Sequence, residues 1–378
     1  MGGAETYAWT VASALADRGH EVVVLTDGAD RAERADRADG TSSAPRFRVH
    51  RLTGYLELLA DPSKLRWEQL YFGLLPETAA ALGAWGPDIV LANSLETTVL
   101  GRVVAEEFTV PLVGAYHEHA PQQEPFGTGR LDMVYRFLRP DLVLAGSRFY
   151  QERAVTRLGG DRVRLIHHGV DTGLFHPAVD GAGVRARYGV GPGDLFVVSA
   201  GRLKPRKGHL ELVRAVARLD RTDVRLLIAG SVSSASVAYA EELRRAVEES
   251  GLGGRVTIDR SLGHRDMPAV LAAADVVAQP SHEEGLGLSV LEAMSSGRPV
   301  VTCSVPGIRE ILSSPDLAVL APPGEPAALA KALSRCLDDE DLRASLARRG
   351  REHVLRHFSQ QRMIDATEAE LLRLAVGR

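Results

Sequence analysis

The chain has 378 residues, of which 45% are hydrophobic and 25% charged, the usual balance of a folded protein with a sizeable core. The formal net charge of −4 argues against the basic field that nucleic-acid-binding proteins carry. Two cysteines are too few for a disulfide framework or a four-sulfur zinc site. No apolar run reaches the roughly 18 residues that cross a bilayer, and no leader-like charged and apolar segment opens the sequence. We therefore expect a cytoplasmic protein.

Short apolar, β-branched runs alternate with longer helical stretches along the whole chain. The runs cover residues 20–27, 46–52, 89–94, 111–116, 142–147 and 163–168 in the first half, and 195–200, 224–230, 255–259, 276–281, 299–303 and 317–322 in the second. Continuous apolar runs suit strands that are buried on both faces, and helices between them indicate parallel βαβ units. The pattern predicts an α/β protein with two Rossmann-like, doubly wound domains that face each other across a cleft.

Glycine and proline concentrate between Phe175 and Gly193, which predicts a linker. We expect a first domain over residues 1–182, a second over 183–356, and a final helix over 357–378 that returns to the first domain. At the N-terminus, Gly2 and Gly3 lead directly into an apolar-periodic helix, whereas a doubly wound domain usually opens with a strand. We therefore expect the first strand of the first sheet to be absent, and a translation start slightly upstream.

The most informative segment of the second half reads VVAQPSHEEGLGLSVLEAMSSG. It predicts a strand, a glycine-containing turn and then a helix from about Leu286 to Ser295. Gly285 and Gly287 let the backbone approach a ligand, and the free N–H groups of the first helical turn favour an anion such as phosphate. Glu284 and Glu292 flank this anion site. Since carboxylates beside a phosphate need hydroxyl donors, which a sugar and a ribose supply, the segment predicts a nucleotide-sugar site.

A cluster of basic residues follows the strand at 195–200. Arg202, Lys204, Arg206 and Lys207 lie within six residues of one another, in the sequence GRLKPRKG. A departing diphosphate develops negative charge in the transition state and needs fixed cations, metal ions or helix dipoles to receive it. The cluster therefore fits a diphosphate leaving group, and a solvated basic loop is the plainer alternative.

The two segments together resemble the retaining glycosyltransferases of family 4, which have the GT-B fold. The resemblance lies in the pattern G-R-x4-K-G at residues 201–208, followed by E-G-x-G-L-x3-E-A-M-x2-G-x-P-V-V from Glu284 onward. It extends to the G-G-A-E start at Gly2, to G-V-D at Gly169 and to the F-S pair at Phe358. The E-x7-E segment with its glycines is specific, whereas the start or the triplet alone is weak.

The resemblance implies a role for each matched residue. Glu284 is expected to bind hydroxyls of the donor sugar and Glu292 the ribose, while Arg202 and Lys207 neutralise the diphosphate. The backbone contacts to the donor are expected from Gly285, Leu286, Gly287 and Leu288, with Gly2 and Gly3 approaching from the first domain. In the family a histidine lies beside the reacting sugar, and His117 is the matching position, with His119 as a weaker substitute.

Other positions leave parts of the site open. Arg148 is expected to be a further cation on the acceptor side, with a surface charge at a helix start as the alternative. Arg260 stands where the family usually has glycine, beside the expected nucleobase pocket, so both UDP and GDP sugars stay open as donors. His168 stands where asparagine commonly precedes G-V-D.

The reaction implied by the resemblance is retaining glycosyl transfer without a metal or a bound cofactor, the nucleotide-diphosphate sugar being a co-substrate. The single D-x-D pattern, at residues 339–341, reads as a solvated helix start. We favour departure of the nucleoside diphosphate and attack by the acceptor on the same face of the sugar. A double displacement would need a carboxylate nucleophile, for which Glu118 is the candidate in the loop of His117.

Several alternatives remain at this point. A nucleotide-sugar epimerase or a glycosyl phosphorylase could use the same fold. The absent first strand also keeps a non-catalytic sugar-nucleotide-binding subunit open, although the joint presence of the residues matched to the family, His117, Arg202, Lys207, Glu284 and Glu292, argues against it. A NAD-dependent oxidoreductase fits less well, because no G-x-G-x-x-G follows a strand. The acceptor, which can be a small molecule, a glycan or a lipid-linked compound, is expected to contact the loops at 54–72 and 121–130. We expect the aromatic segment at 65–75 to belong to the core or to line the acceptor cleft, and a peripheral position at the inner membrane face is the alternative.

Overall fold

The computed structural model describes residues 3–27, 47–52, 67–83, 85–116, 132–231 and 236–377. The chain forms two compact units. Unit 1 comprises Met1–Ala145, Gln151–Arg164 and Ile364–Arg378, and unit 2 comprises Gly146–Tyr150 and Leu165–Met363. The sequence predicts domain limits at 1–182, 183–356 and 357–378. These limits remain a prediction, because the two compact units are defined by contacts and not as domains.

Unit 1 contains the six strands expected in the first half of the chain. Its elements in chain order are α1 (Gly3–Asp17), β1 (Val23–Asp27), β2 (Arg48–Leu52), α2 (Trp67–Leu82), β3 (Val90–Ala92), α3 (Leu95–Phe108), β4 (Leu112–Tyr116), a π-helical turn (Met133–Leu138), β5 (Leu142–Ala145), most of α4 (Arg148–Leu158) and β6 (Val163–Leu165). The strands form two parallel sheets, of order β1-β2 and β3-β4-β5-β6. In a doubly wound sheet the first strand lies at the centre, and the described residues hold no strand that joins β1 to β3.

The last helix of the chain, α13 (Gln360–Val376), packs on unit 1 from Ile364 onward. The Arg18 guanidinium binds the carboxylates of both Asp365 and Glu368. His20 Nε2 lies 2.7 Å from Oε1 of the same Glu368. These contacts fasten α13 to the residues that follow α1, so the end of the chain belongs structurally with its beginning.

Unit 2 is built on a six-stranded parallel sheet. Its elements are α5 (Ala182–Arg187), β7 (Leu195–Ala200), α6 (His209–Val216), β8 (Val224–Ala229), α7 (Val237–Glu249), β9 (Val256–Asp259), α8 (Met267–Ala273), β10 (Val276–Gln279), α9 (Leu288–Ser295), β11 (Val300–Cys303), α10 (Pro306–Ile311), β12 (Val319–Ala321), α11 (Pro326–Asp338) and α12 (Glu340–His357). The order is β12-β11-β10-β7-β8-β9. Helices cover both faces, and neighbouring residues such as Val197 and Val198 enter opposite apolar cores. All six strands expected in the second half are therefore present.

Several predicted features lie outside the described residues. They are Gly2, His117 with its neighbours Glu118 and His119, the acceptor loop at 121–130, and residues 54–66 of the other acceptor loop. Of the aromatic segment at 65–75, residues 67–74 are described only as backbone. Within the described part of the chain, no helix combines the length and the apolar character that a membrane span needs.

Candidate functional site

The two predicted segments meet in unit 2 because β7 and β10 are parallel neighbours. The loop after β7 forms a 3-10 turn at Pro205–Lys207 before α6 begins, and the loop after β10 leads to α9. The backbone N–H of His282 donates to the carbonyl of Arg206 at 2.8 Å, and the Arg206 guanidinium donates to the carbonyl of Glu283 at 3.1 Å. The topology and these two hydrogen bonds hold the basic cluster beside the acidic motif.

Lys207 and Glu284 form a buried ion pair at the centre of this site. Lys207 Nζ lies 2.5 Å from Glu284 Oε1, and the Ser281 hydroxyl donates to the same oxygen at 2.7 Å. The side chains are 13% and 8% exposed. Burial pushes the pKa of Glu284 upward, but the charge and hydrogen bond of Lys207, with the bond from Ser281, outweigh it and hold that pKa below its usual value. Glu284 is therefore a fixed carboxylate.

Glu292, on the second turn of α9, is in a different environment. Burial raises the pKa of its carboxyl to about 7, and the positive charge of Lys207 opposes this only in part. Among the described residues, no side chain forms a hydrogen bond or an ion pair with the Glu292 carboxyl. A carboxyl in this state is an acceptor that awaits hydrogen-bond donors, and it responds to pH near neutrality.

The start of α9 supplies the anion-binding part of the site. Gly287 adopts a left-handed φ of +96°, and a methyl group on it would lie 2.5 Å from Cδ1 of Ile308, so that only glycine fits. The turn lets α9 begin at Leu288, two residues later than the sequence predicts. The N–H groups of a first helical turn have no acceptor inside the helix and carry the positive end of its dipole. They are suited to a phosphate.

The cations of the basic cluster lie close enough together to influence one another. Burial, followed by the charges of Arg202 and Arg206, lowers the pKa of Lys204. The Arg206 guanidinium also lies 3.8 Å from Glu284 Oε2, while Arg202 is exposed. Like charges so close together are favourable only when an anion joins them, which fits a diphosphate.

His209 is a residue that the sequence reasoning missed. It begins α6 immediately after the K-G pair of the motif, it is fully buried, and neither ring nitrogen has a hydrogen-bond partner in the described structure. Burial, reinforced by the charge of Lys207, lowers its pKa to about 3. The imidazole ring is therefore neutral. In the sequence, only the position of His209 next to the motif could have indicated that it belongs to the site.

The remaining predicted residues are placed as follows. The backbone N–H of Arg148 donates to Glu310 Oε1 at 2.7 Å, and the exposed Arg148 side chain belongs to unit 2. Gly3 opens α1 in unit 1, and β4 ends at Tyr116, one residue before His117. Arg260 follows β9 with an exposed side chain.

The D-x-D segment is a helix start. The Asp339 carboxylate accepts the backbone N–H of Leu342 at 2.8 Å and caps α12, as the sequence predicts. Among the residues that the structure describes, no three His, Cys, Asp or Glu side chains are grouped so that they could hold a metal ion.

Two family models match the chain. The model described as Glycosyl transferases group 1 covers residues 184–353, and Glycosyltransferase Family 4 covers residues 1–174. The D-inositol 3-phosphate glycosyltransferase of Xylanimonas cellulosilytica is 31% identical over 92% of this chain and 86% of its own. The enzyme of that name from Acidothermus cellulolyticus is 30% identical over 94% and 82%. The chain belongs to the family 4 glycosyltransferases, as the motifs predict.

Solved structures confirm the fold. HepE from Anabaena, in complex with UDP and glucose, superposes with a TM-score of 0.82 at 24% identity, over 99% of this chain and 96% of that one. Sucrose-phosphate synthase from Thermosynechococcus elongatus gives 0.80 at 25% identity, over 100% and 94%. The predicted GT-B class of two α/β domains with parallel sheets is correct.

Proposed function

We propose that the protein transfers a sugar from a nucleoside diphosphate sugar to an acceptor hydroxyl, with retention of configuration and without a metal ion. The observation that carries the proposal is that the Lys207–Glu284 pair, the start of α9 and Glu292 on its second turn are grouped in one place. One place in unit 2 thus offers a cation and a helix N-terminus for phosphate, and two carboxylates for hydroxyl groups.

Charge balance supports a diphosphate donor. The loop after β7 carries Arg202, Lys204, Arg206 and Lys207, while Glu284 neutralises one of these cations. Three positive charges then remain, which is enough to neutralise the two negative charges of a nucleotide-sugar diphosphate. Glu284 is then oriented for hydroxyls of the donor sugar, and Glu292 for those of the ribose.

The reaction step depends on the charge that develops on the distal phosphate. Lys207, Arg202 and the dipole of α9 receive this charge, and each such donor contributes roughly 10²–10³ in rate. In our proposal these groups supply the stabilisation for which other enzymes use a metal. The acceptor oxygen attacks from the face that the phosphate leaves, and a phosphate oxygen takes the acceptor proton. His117 is proposed to lie beside the sugar.

For the acceptor, we propose a phosphorylated polyol of the inositol phosphate class. The support comes from the two relatives reported above, which match nearly the whole chain and are named for D-inositol 3-phosphate. The decisive pair of acceptors is D-inositol 3-phosphate and unphosphorylated inositol, since they differ only in the phosphate.

The test is a panel of UDP-, GDP-, dTDP- and ADP-sugars, with release of nucleoside diphosphate measured with and without acceptor and in the presence of EDTA. We expect one donor to give acceptor-dependent release that EDTA leaves unchanged, and NMR to show a product anomer matching that of the donor. Release from no donor would refute the transferase. An epimerised donor or a sugar phosphate would instead identify an epimerase or a phosphorylase.

A further inference from the structure

Tyr150 packs directly on the donor turn, by which we mean residues 284–287 between β10 and α9. The residue is 5% exposed. A methyl group placed on Gly285 would lie 2.2 Å from the Tyr150 hydroxyl oxygen and 2.7 Å from Cζ. The tyrosine ring thus occupies the space that a side chain at position 285 would need, and both residues belong to unit 2.

The opposite side of the donor turn is held by α10. A methyl group on Gly307 would lie 2.3 Å from the carbonyl oxygen of Glu284, and Ile308 fills the space beside Gly287. The turn is therefore enclosed between the ring of Tyr150 and the first residues of α10. Its backbone has little freedom while both contacts persist.

The same short helix fixes the position of Tyr150. Glu310 of α10 has a side chain that is 6% exposed. Its Oε1 accepts the backbone N–H of Arg148 at 2.7 Å and lies 2.7 Å from His167 Nε2. Glu310 therefore holds the first turn of α4, from which Tyr150 projects onto the donor turn.

We propose that Tyr150 is a positioning residue for donor binding, an inference that rests on the proposed transferase function. The ring holds the donor turn so that the Glu284 carboxylate and the N–H groups of α9 face one donor molecule. Tyr150 itself touches the turn and not the reacting atoms. Its loss is therefore expected to raise the donor KM more than it lowers kcat.

The test is a double-mutant cycle between Tyr150→Leu and Gly285→Ala, measured with the sugar nucleotide that gives turnover in the donor panel. We expect Tyr150→Leu to raise the donor KM about tenfold and Gly285→Ala to lower kcat/KM about a hundredfold. In the double variant the smaller leucine makes room for the methyl group, so its kcat/KM should exceed that of Gly285→Ala by about fivefold or more. Tyr150→Phe, which keeps the ring, should stay within about threefold of wild type.

Thermal unfolding of the four variants verifies that each of them folds. Tyr7 is a buried tyrosine of unit 1, and Tyr7→Phe, as a control, should leave the donor KM unchanged. If wild type turns over donor but the free-energy losses in kcat/KM of the two single variants add in the double variant, the positioning role of Tyr150 is overturned and the transferase assignment is not. No turnover by wild type with any donor would overturn the transferase assignment and this inference with it.

Discussion

The turn before α9 and the second turn of α9 each present a glutamate from the same motif, yet the two carboxyl groups differ in state. Glu284 is bonded to Lys207 and Ser281, and its pKa lies below the usual value. Glu292 has no such partner among the described residues, and burial raises its pKa to about 7. Two glutamates eight positions apart therefore differ in charge state: Glu284 is ionised, whereas Glu292 titrates near neutral pH.

The difference in charge state indicates that the two glutamates bind the donor in different ways. Glu284 already has its cation, so an incoming sugar finds an oriented, ionised acceptor. Glu292 has its full acceptor strength only after deprotonation, and hydroxyl donors of a ribose would favour that state. We therefore expect the donor to complete the solvation of Glu292, whereas Lys207 must be present beforehand for Glu284.

Lys207→Ala should give the largest effect, because it removes a diphosphate cation and leaves Glu284 buried without its main partner. We expect kcat/KM to fall by about 10³ and stability to fall by about 3 kcal/mol. Steady-state kinetics and urea unfolding measure the two losses. Lys331→Ala, at an exposed lysine of α11, is the matched control and should resemble wild type. A Lys207→Ala protein with near-wild-type kinetics would refute the assigned site.

Glu284→Gln should lower kcat/KM by about 10², since the amide cannot accept sugar hydroxyls as strongly and leaves the Lys207 charge unpaired. Combining it with Lys207→Met should restore part of the stability lost on removing one partner, because no buried charge is then left alone. The double variant should not regain kcat/KM. Glu249→Gln, at an exposed position of α7, controls for the change of Glu to Gln. Activity recovered together with stability would contradict a role in donor binding.

Glu292→Gln should raise the donor KM by about tenfold and should also stabilise the protein at high pH. Because the folded pKa of about 7 exceeds the usual 4.5, folding binds a proton, and wild type loses stability as the pH rises from 4.5 through 7. Glutamine cannot ionise, so the variant should melt about 4 °C above wild type at pH 8.5 and level with it at pH 5. A melting difference independent of pH would show that Glu292 is not desolvated.

His209→Leu should have the smallest effect on activity, within about twofold at pH 8. Its pKa of about 3 lies below the usual 6.5, so the unfolded chain binds the proton more strongly and wild type loses stability as the pH falls from 6.5 towards 3. The variant should therefore gain melting temperature relative to wild type at pH 5. A melting difference between His209→Leu and wild type that stays the same from pH 8 to pH 5 would contradict the account.

The sequence predicts the strands and the two ligand loops well, because each depends on local composition. The run from Leu195 to Ala200 is the strand β7 itself, since continuous apolar residues suit a strand covered on both faces. The proximity of Lys207 and Glu284 could be predicted from the sequence, because loops at the carboxyl ends of parallel strands lie at the same edge of the sheet. The glycines of the donor turn were recognisable for the same local reason.

Other features depend on packing between distant parts of the chain and could not be predicted. The contact of Tyr150 with Gly285 joins residues far apart in sequence, and nothing in the surroundings of Tyr150 indicates it. The opposite pKa shifts of Glu284 and Glu292 follow from burial and partners, which only the folded structure defines. The helix α9 starts later than expected because Ile308 and the backbone of Gly287 determine where the turn ends.

The most direct measurement of the contrast between the two glutamates is calorimetric titration of the donor at pH 7 in buffers of different ionisation enthalpy. A nucleotide-sugar diphosphate does not itself titrate near this pH, so any proton released comes from the protein. If the ribose hydroxyls bind Glu292 and lower its pKa, donor binding should release about half a proton in wild type and none in Glu292→Gln. Equal release by both proteins, or none by either, would contradict the assignment of Glu292 as the titrating partner of the donor.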